Sequence, residues 1–363
     1  MRGVQSSPHL PGTTLTTLVR RFGAGEPLSC EPVAQGLLNR GYRLSTTRGR
    51  FFLKHHLDGD SGAPARIEHQ HRVTERLGDV GLPVVPPFRD TAGRTVAVVA
   101  GGCYALHPWV DGRHRDGGEL SRAQSRRLGA LLGLVHVRLG QVITAAPGAG
   151  RAGEPAAGPA AESAAEPGAE PSADPEDTFA LIGELLARIR ARPRRDCFDE
   201  LAEHRLRERR ALLRRHAHRR PPAGTEPVAG WVHGDFHPFN LLYRNREPAE
   251  PVAIVDWDRL AVRPRAEEAV RAAAIFFLRP DGALDLAKIR AYAAAYRAAT
   301  GAGADEMAAA VHRVWWERLN DFWMLRWRYR LRDRRTDPQF PAAAALVVWW
   351  TDRYPAVRDA FCR

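Results

Sequence analysis

The chain has 363 residues, of which 44% are hydrophobic, so it can bury a sizeable core in one large domain or in two lobes. It contains no apolar run of the about 18 residues that a membrane helix needs. Its first residues lack the apolar core of a secretion signal, and its four cysteines lie far apart, in no metal or redox spacing. We therefore expect a cytoplasmic protein.

The formal charge of +12 raises the question of nucleic-acid binding. All but two of the 54 basic residues are arginine, which indicates a compositional bias rather than a binding surface. The densest basic region, residues 188–220, contains one aromatic residue, Phe198, so platforms for base stacking are missing. These features argue against nucleic acid as a partner and favour a basic cleft that attracts ATP or another anion.

The first part of the chain predicts an irregular lead-in and a small β-rich region. Residues 1–28 contain threonine, glycine and proline without a clear period and predict the lead-in. Residues 29–106 predict strands with one helix between them. The predicted elements are strands at 42–47, 50–54, around Phe88 and at 95–99, a hairpin turn at Arg48-Gly49, and a polar helix at 66–78.

Residues 107–363 predict a large, mostly helical region. The predicted helices span 121–139, 178–192, 198–215, 266–278, 284–300, 305–332 and 341–361. Residues 144–176 are rich in alanine, proline, glycine and glutamate, and this composition predicts a flexible insertion. A strand-rich front part followed by a helical back part predicts the α+β fold class.

The most informative segments are WVHGDFHPFN at 231–240 and IVDWD at 254–258. The first places Asp235 five residues before Asn240 in a loop, and the second ends a β-type run on Asp256. A hairpin between the two segments would bring Asn240 and Asp256 to the same end, side by side. Phosphoryl transfer needs a carboxylate to accept the hydroxyl proton, and an amide oxygen and a carboxylate to hold Mg²⁺. The sequence therefore predicts an ATP-dependent kinase with Asp235 as the base and Asn240 and Asp256 on the metal.

These motifs resemble those of phosphotransferases of protein-kinase-like fold, which include aminoglycoside, choline and type II homoserine kinases. HGDFHPFN and IVDWD are similar to the family patterns His-Gly-Asp-x-x-x-x-Asn and Ile-Asp-Trp/Phe, and LGALLGLVH at 128–136 is similar to a third family motif. The segment QGLLNRGYRLSTTRGRFFL at 35–53 resembles the first hairpin of the homoserine kinase branch. The resemblance implies a bilobal fold, with a small β-rich N-lobe, a large mostly helical C-lobe and ATP in the cleft between them.

The resemblance also implies a role for Lys54, which would contact the nucleotide phosphates from the end of its strand. A compact ammonium suits phosphate oxygens, and the chain keeps a lysine here while it uses arginine nearly everywhere else. An ordinary lysine at a strand end is the alternative.

The chain departs from the family pattern in three places. Gln70 stands where a helix glutamate pairs with the strand lysine, with Glu68 and Glu75 nearby. Glu268 replaces a later aspartate, and a long insertion rich in alanine and proline follows His136.

Two further segments are implied to bind the nucleotide. The turn from Gly36 to Gly41, which includes Asn39, would cover the phosphates with backbone N–H groups, and a plain hairpin turn is the alternative. The segment 105–110, which includes His107 and Trp109, would be the hinge that lends backbone groups to adenine.

An aromatic run near the C-terminus is the strongest candidate for an acceptor site. Trp316, Trp323 and Trp327 share one face at helical spacing, which favours core packing. An aromatic wall for a cationic amine is the alternative, with Glu317 and Asp321 beside it.

We expect a Mg-ATP-dependent kinase of a small hydroxylated metabolite, such as an amino alcohol or a hydroxy amino acid like homoserine. An aminoglycoside-type antibiotic kinase and a kinase of serine or threonine in peptides stay open, although no Ala-Pro-Glu signature follows Asp256. A catalytically silent nucleotide-binding scaffold is the alternative from another class, and loss of Asp235, Asn240 or Asp256 would favour it.

Overall fold

The computed structural model describes residues 9–33, 39–57, 62–144, 172–224, 226–245 and 250–363. Its first part consists of α1 (Gly12–Arg21), β1 (Pro27–Val33), β2 (Arg40–Thr46), β3 (Gly49–His56), α2 (Ala63–Asp79), β4 (Ala97–Val99) and β5 (Gly102–Pro108). The five strands form one antiparallel sheet in the order β1-β2-β3-β5-β4. This sheet is the predicted β-rich region.

The two faces of β3 serve different purposes. Phe51 and Leu53 are buried in a cluster with Leu18 and Val19 of α1. Because side chains alternate along a strand, the residues between and beyond them, such as Lys54, point to the opposite face. The alternation thus turns Lys54 away from the core that α1 covers.

The predicted irregular lead-in at 1–28 is wrong for residues 12–21, which form α1. Leu18 and Val19 supply the apolar contacts that hold this helix on the sheet. Thr16 and Thr17 suggested an irregular chain, but their hydroxyls donate to the carbonyls four residues earlier and fit within the helix.

Two details of the predicted sheet are also wrong. The hairpin turn lies at Thr47-Arg48, one residue earlier than predicted, and Thr46 pairs with Gly49, whose φ is +137°. Phe88 is not in a strand, although its N–H donates to Leu106 O at 2.7 Å. Pro86 and Pro87 precede it, and prolines cannot donate hydrogen bonds to continue a ladder.

The second part of the chain is mostly helical. Its helices are α3 (Arg122–Thr144), α4 (Pro175–Arg190), α5 (Cys197–His216), α6 (Arg265–Phe276), α7 (Leu286–Thr300), α8 (Ala304–Asn320), α9 (Trp323–Arg326), α10 (Phe340–Asp352) and α11 (Tyr354–Cys362). Its strands pair antiparallel as β6 (Ala229–Val232) with β9 (Ala261–Pro264), and β7 (Leu241–Tyr243) with β8 (Pro251–Ile254). The α+β class and the order of a β-rich part before a helical part are confirmed. Within the described ranges, no helix is both long and apolar enough to cross a membrane.

Two predicted boundaries in this part need correction. The predicted insertion at 144–176 lies outside the described residues over 145–171, but Thr144 still belongs to α3 and Pro175 begins α4. The predicted helix at 305–332 is broken, because Asp321 is extended after α8. The Asp321 carboxylate accepts a hydrogen bond from the Trp323 N–H at 2.9 Å, which helps to start the next helix.

Helix α3 shows why the large core has its shape. Leu128, Leu132, Val135 and Leu139 are buried at helical spacing along one face. Gly129 lies on the face that packs against α7, where a Cβ atom would come 2.0 Å from the Tyr292 carbonyl oxygen. The two helices therefore approach more closely than any residue with a side chain would permit.

We expect Gly129→Ala to lower the free energy of unfolding by about 3 kcal/mol, because backbone atoms of α7 must move to admit the methyl group. Denaturant titration followed by circular dichroism measures this loss. Gly140→Ala in the same helix is the matched control, since its Cβ would meet nothing within 4 Å. The control is expected to be neutral or more stable by up to about 1 kcal/mol. Equal effects of the two variants would contradict the packing argument.

Candidate active site

The β7–β8 hairpin brings two predicted site residues together. Asn240 ends a short 3₁₀ turn just before β7, and Asp256 follows β8 by two residues. Leu241 pairs with Ile254, and the Val255 N–H donates to Asn240 O at 2.9 Å. The hairpin thus carries the Asn240 amide and the Asp256 carboxylate to the same end, as the sequence predicts.

Asp235 lies in the loop between β6 and the hairpin. Its carboxylate is 3.5 Å from His237 Nε2 and 3.9 Å from Arg259 Nε. Burial alone would raise the pKa of Asp235, but His237 and Arg259 outweigh it and hold this pKa below its usual range. The carboxylate is therefore ionised at neutral pH and can accept a proton.

Asn240 is oriented by the loop that contains Asp235. Its side-chain nitrogen donates to Asp235 O at 2.8 Å, which directs the amide oxygen away from that carbonyl. Asn240 is 6% exposed, so the geometry of its amide is set by protein contacts rather than by solvent.

Asp256 has a left-handed backbone conformation with φ of +64°, which is uncommon for a residue other than glycine. Such strain often marks a functional position. Oxygen ligands such as the Asp256 carboxylate and the Asn240 amide fit Mg²⁺, which takes its remaining ligands from phosphates and water. No three His, Cys, Asp or Glu side chains within the described ranges lie close enough to hold a metal on their own.

Lys54 reaches the end of the hairpin from β3. Its Nζ is 2.6 Å from Asp256 Oδ1 and 2.7 Å from Asp258 Oδ1, and 11% of its side chain is exposed. Burial would lower the pKa of Lys54, but the two carboxylates outweigh it and raise this pKa above its ordinary value. The lysine is thus a fixed positive charge beside the hairpin.

The other residues implied to bind the nucleotide are placed in different ways. Gly36 lies outside the described residues. The Asn39 side chain donates to Asp258 Oδ2 at 2.5 Å and accepts from the Leu57 N–H at 3.2 Å. It therefore holds the Asp258 carboxylate in place. Its predicted role through backbone N–H groups stays a prediction.

His107 and Trp109 lie at and just after the end of β5. His107 Nδ1 is 2.9 Å from Val85 O, which fixes this nitrogen as the donor, and burial lowers the pKa of His107 to about 4. The Trp109 N–H donates to Arg50 O at 3.2 Å, so this amide extends the contact between β3 and β5. The predicted hinge therefore cannot use the Trp109 N–H for adenine while this bond persists.

The Glu268 carboxylate holds the loop that contains Asp235 through hydrogen bonds to its backbone. In the sequence, Glu268 stood out only as a departure from the family pattern. It is 3% exposed, and it accepts hydrogen bonds from the backbone N–H groups of His233 and Gly234. His136 Nε2 donates to the same carboxylate at 2.7 Å, and His136 Nδ1 is 3.0 Å from the Tyr296 hydroxyl. Burial would raise the pKa of Glu268, but its hydrogen bonds and nearby histidines outweigh it and hold this pKa low.

His233 completes the same support, as a structural residue. Its Nε2 is 3.0 Å from Val255 O, which fixes Nε2–H as the donor, and its Nδ1 accepts from the Asp235 N–H at 3.2 Å. One imidazole thus links the strand before Asp256 to the backbone of Asp235. No single motif in the sequence indicated the contact between His136 and Tyr296, because Tyr296 lies on a separate helix.

The aromatic run divides into a buried and an accessible part. Trp316 is 1% exposed and its indole N–H donates to Ala173 O, so it belongs to the core. Trp323 and Trp327 are half-buried, with ring centroids 5.7 Å apart. Because the predicted single helix is broken at Asp321, these rings do not share one face with Trp316.

Most of the chain matches the model of one protein family. The model of the phosphotransferase enzyme family (APH) matches residues 29–302, so the chain belongs to this family. Among curated proteins, the homoserine kinase of Rhodopseudomonas palustris (strain TIE-1) is 31% identical over 98 residues, which is 27% of this chain and 29% of that protein. The match therefore spans less than a third of the length of this relative.

Solved structures show the same fold. A spectinomycin phosphotransferase solved with ADP and spectinomycin superposes with a TM-score of 0.59 at 12% identity and covers 98% of both chains. A microcompartment-associated aminopropanol kinase gives 0.57 at 17% identity, over 96% of this chain and 99% of that one. The predicted bilobal protein-kinase-like fold is thus confirmed.

We expect Glu268→Gln to loosen the loop that contains Asp235. A glutamine cannot accept hydrogen bonds at both terminal atoms, so at least one of the three donors loses its partner in a buried site. The free energy of unfolding should fall by about 3 kcal/mol. Hydrogen exchange should show lower protection of the His233 and Gly234 amides.

The matched control for this prediction is Glu31→Gln. Glu31 forms an exposed ion pair with Arg43 at 2.6 Å, and such pairs contribute about 0–1 kcal/mol. Unchanged protection of the His233 and Gly234 amides in Glu268→Gln would show that the carboxylate does not hold the loop.

Proposed function

For this member of the phosphotransferase enzyme family, we propose Mg-ATP-dependent transfer of the γ-phosphate to a hydroxyl of a small metabolite. The acceptor class is an amino alcohol or a hydroxy amino acid such as homoserine. The observation that carries the proposal is the convergence of Asp235, Asn240 and Asp256 on one loop and hairpin, with Lys54 2.6 Å from Asp256.

In the proposed reaction, Asp235 accepts the proton of the acceptor hydroxyl while the hydroxyl oxygen attacks the γ-phosphorus. The bond from that phosphorus to the β,γ-bridging oxygen breaks, and ADP leaves. Asn240 and Asp256 would hold Mg²⁺, which neutralises charge on the phosphates when it is bound. Lys54 would add a positive charge at the same place. Most of the acceleration would come from positioning and electrostatics.

The proposed acceptor class rests on three kinds of support. The curated relative with 31% identity is a homoserine kinase, and one structural neighbour is an aminopropanol kinase. Asp321 and the half-buried Trp323 line the same small cavity, and the shortest ion-pair distance of the Asp321 carboxylate, to Arg326, is 4.0 Å. A carboxylate next to an aromatic ring suits an ammonium group. An amine-bearing acceptor therefore fits this end of α8.

A second candidate is an antibiotic kinase of the aminoglycoside type. The structural neighbour with the TM-score of 0.59 is a spectinomycin phosphotransferase, which supports this candidate at the level of the fold. Peptide kinase activity and a silent scaffold are further outcomes of the same test.

We expect turnover with one class in a panel of amino alcohols, hydroxy amino acids, aminoglycosides and Ser/Thr peptides, measured as ADP release with Mg-ATP. Asp235→Asn should lose about 10³-fold or more in rate, because the amide cannot accept the proton. It should bind nucleotide as the wild type does, since among the described residues Asp235 forms ion pairs with His237 and Arg259 and not with Lys54.

Each outcome of this panel has a distinct meaning. Turnover with aminoglycosides alone would replace the proposed acceptor class with the second candidate. Retained turnover in Asp235→Asn would remove Asp235 from the role of base. Absence of nucleotide binding by the wild type would contradict the kinase proposal altogether.

We expect Asp256→Ala to separate metal-dependent from metal-independent nucleotide binding. In the presence of Mg²⁺ the affinity for ADP should fall by about 10-fold or more, because a metal ligand is lost. In EDTA the affinity should be unchanged or higher, since Lys54 is released from one of its two carboxylates. Isothermal titration calorimetry measures the affinity for ADP under both conditions.

Asp359→Ala is the control, because Asp359 forms an exposed ion pair with Arg363 near the C-terminus. An equal loss of affinity with and without Mg²⁺ in Asp256→Ala would contradict a role on the metal.

A further inference from the structure

Three residues from separate segments of the N-terminal part contact Asp258. Lys54 of β3 is 2.7 Å from its Oδ1, and Asn39 donates to its Oδ2 at 2.5 Å. The Gln70 side chain on α2 donates to its backbone carbonyl at 2.8 Å. Asp258 follows the metal-site hairpin, so all three contacts link the two parts of the fold at one residue.

A buried ammonium requires a negative partner. Lys54 has 11% of its side chain exposed, so most of its hydration is lost and the missing interaction must be replaced by protein groups. Helix α2 contributes to the cluster the neutral amide of Gln70, which donates to the backbone carbonyl of Asp258. Among the described residues, the ion-pair partners of Lys54 are Asp256 and Asp258, which follow β8.

The identity of residue 70 follows from this arrangement. The Gln70 nitrogen is a donor and faces a carbonyl oxygen, which can only accept. A glutamate at this position would place a carboxylate against that carbonyl, and both groups are acceptors. The Gln70 amide therefore holds the backbone of Asp258 in place.

The two carboxylates that contact Lys54, those of Asp256 and Asp258, differ in their other hydrogen-bond partners and in their exposure. Both oxygens of Asp258 have partners, Lys54 and Asn39, and its side chain is 29% exposed. Asp256 is 42% exposed, and among the described residues its Oδ2 has no hydrogen-bond partner. Asp256 is thus the carboxylate with an oxygen to give to a metal, whereas Asp258 is committed to the protein.

His56 adds little charge to this cluster. Its Nδ1 is 3.7 Å from Asp258 Oδ2, but burial lowers the pKa of His56 far below neutral, so its ring is uncharged. The positive charge that faces Asp258 is therefore that of Lys54.

We propose that Asp258 is the positioning residue for Lys54. When Asp256 turns to the metal, Asp258 keeps Lys54 at the site where the phosphates bind. The functional part of this inference rests on the proposed phosphotransfer, but the contact itself can be tested without turnover.

The chain offers a direct probe of this contact, because Lys54 and Lys288 are its only lysines. The protein is acylated with a trace amount of acetic anhydride at pH 7.5, and its peptides are analysed by mass spectrometry. The measured quantity is the ratio of acylated Lys54 to acylated Lys288. Lys288 donates to Gly117 O at 2.8 Å, remote in sequence from the hairpin, so it serves as the internal reference.

We expect Asp258→Asn to raise the ratio of Lys54 to Lys288 acylation by about 10-fold. Loss of one of the two carboxylates, which lie 2.6 and 2.7 Å from Lys54 Nζ, removes one of the contacts that hold the amine, so the amine meets the reagent more readily. Asn39→Ala, which removes the group that orients Asp258, should give a smaller rise in the same direction. Asp258→Glu should restore part of the protection. Asp359→Asn is the charge-matched control and should leave the ratio unchanged.

Three results would overturn the proposal. The ratio could stay unchanged in Asp258→Asn while it rises in Asp256→Asn, which would make Asp256 the sole partner of Lys54. Acylation of Lys54 and Lys288 could rise together, with a lower melting temperature, which would indicate general loosening. If Asp258→Asn does not fold, an unchanged ratio in Asn39→Ala would count against the proposal.

A wrong assignment of the acceptor would give a different result from a wrong assignment of Asp258. If the ratio changes as expected but no acceptor in the panel is phosphorylated, the assignment of Asp258 stands and the acceptor class is wrong.

Discussion

The structure depends most on one buried carboxylate, that of Glu268. A carboxylate at 3% exposure is costly unless every oxygen is hydrogen-bonded, and Glu268 meets this condition with two backbone amides and His136. The amides belong to the loop that leads to Asp235. The cost of burying the charge is therefore offset only when this loop has one conformation, and the same contacts join α6 to α3. Through Tyr296 the network extends to α7.

A second polar cluster, around Lys54, lies at the residues that follow the β7–β8 hairpin. It resembles the first in that each charged group is held by partners from separate parts of the sequence: Asn39, Gln70, Asp256 and Asp258. It differs in exposure, since Asp256 is 42% exposed whereas Glu268 is almost inaccessible. The buried cluster fixes the loop that carries Asp235, and in the proposed reaction the groups of the more open cluster would exchange partners when nucleotide and metal bind. The β7–β8 hairpin and His233 connect the two.

The parts of the site that the sequence predicts are those set by local geometry. Asp235, Asn240 and Asp256 lie within 22 residues, and a hairpin fixes their relation, so spacing alone places them. The partner of Lys54 is different, because Asp258 is 204 positions away and its selection depends on how two lobes meet. The errors in secondary structure have a similar origin: α1 forms because of apolar contacts with the sheet, and the break at Asp321 depends on one side-chain cap. Propensity carries no information about either.

The retention of lysine at position 54 has a physical basis in this arginine-rich chain. Elsewhere, arginines make fixed pairs: Arg328 contacts Asp196, Asp199 and Asp337, and Arg271 contacts Glu317 with two nitrogens. A guanidinium at position 54 would bind its carboxylates through a planar fork and would have to break that geometry to reach a phosphate. An ammonium has no such plane and can be shared between Asp256, Asp258 and an incoming oxygen. A single point charge held by two carboxylates therefore remains available to a third anionic group, and this is the property that the proposed contact of Lys54 with the nucleotide phosphates would require.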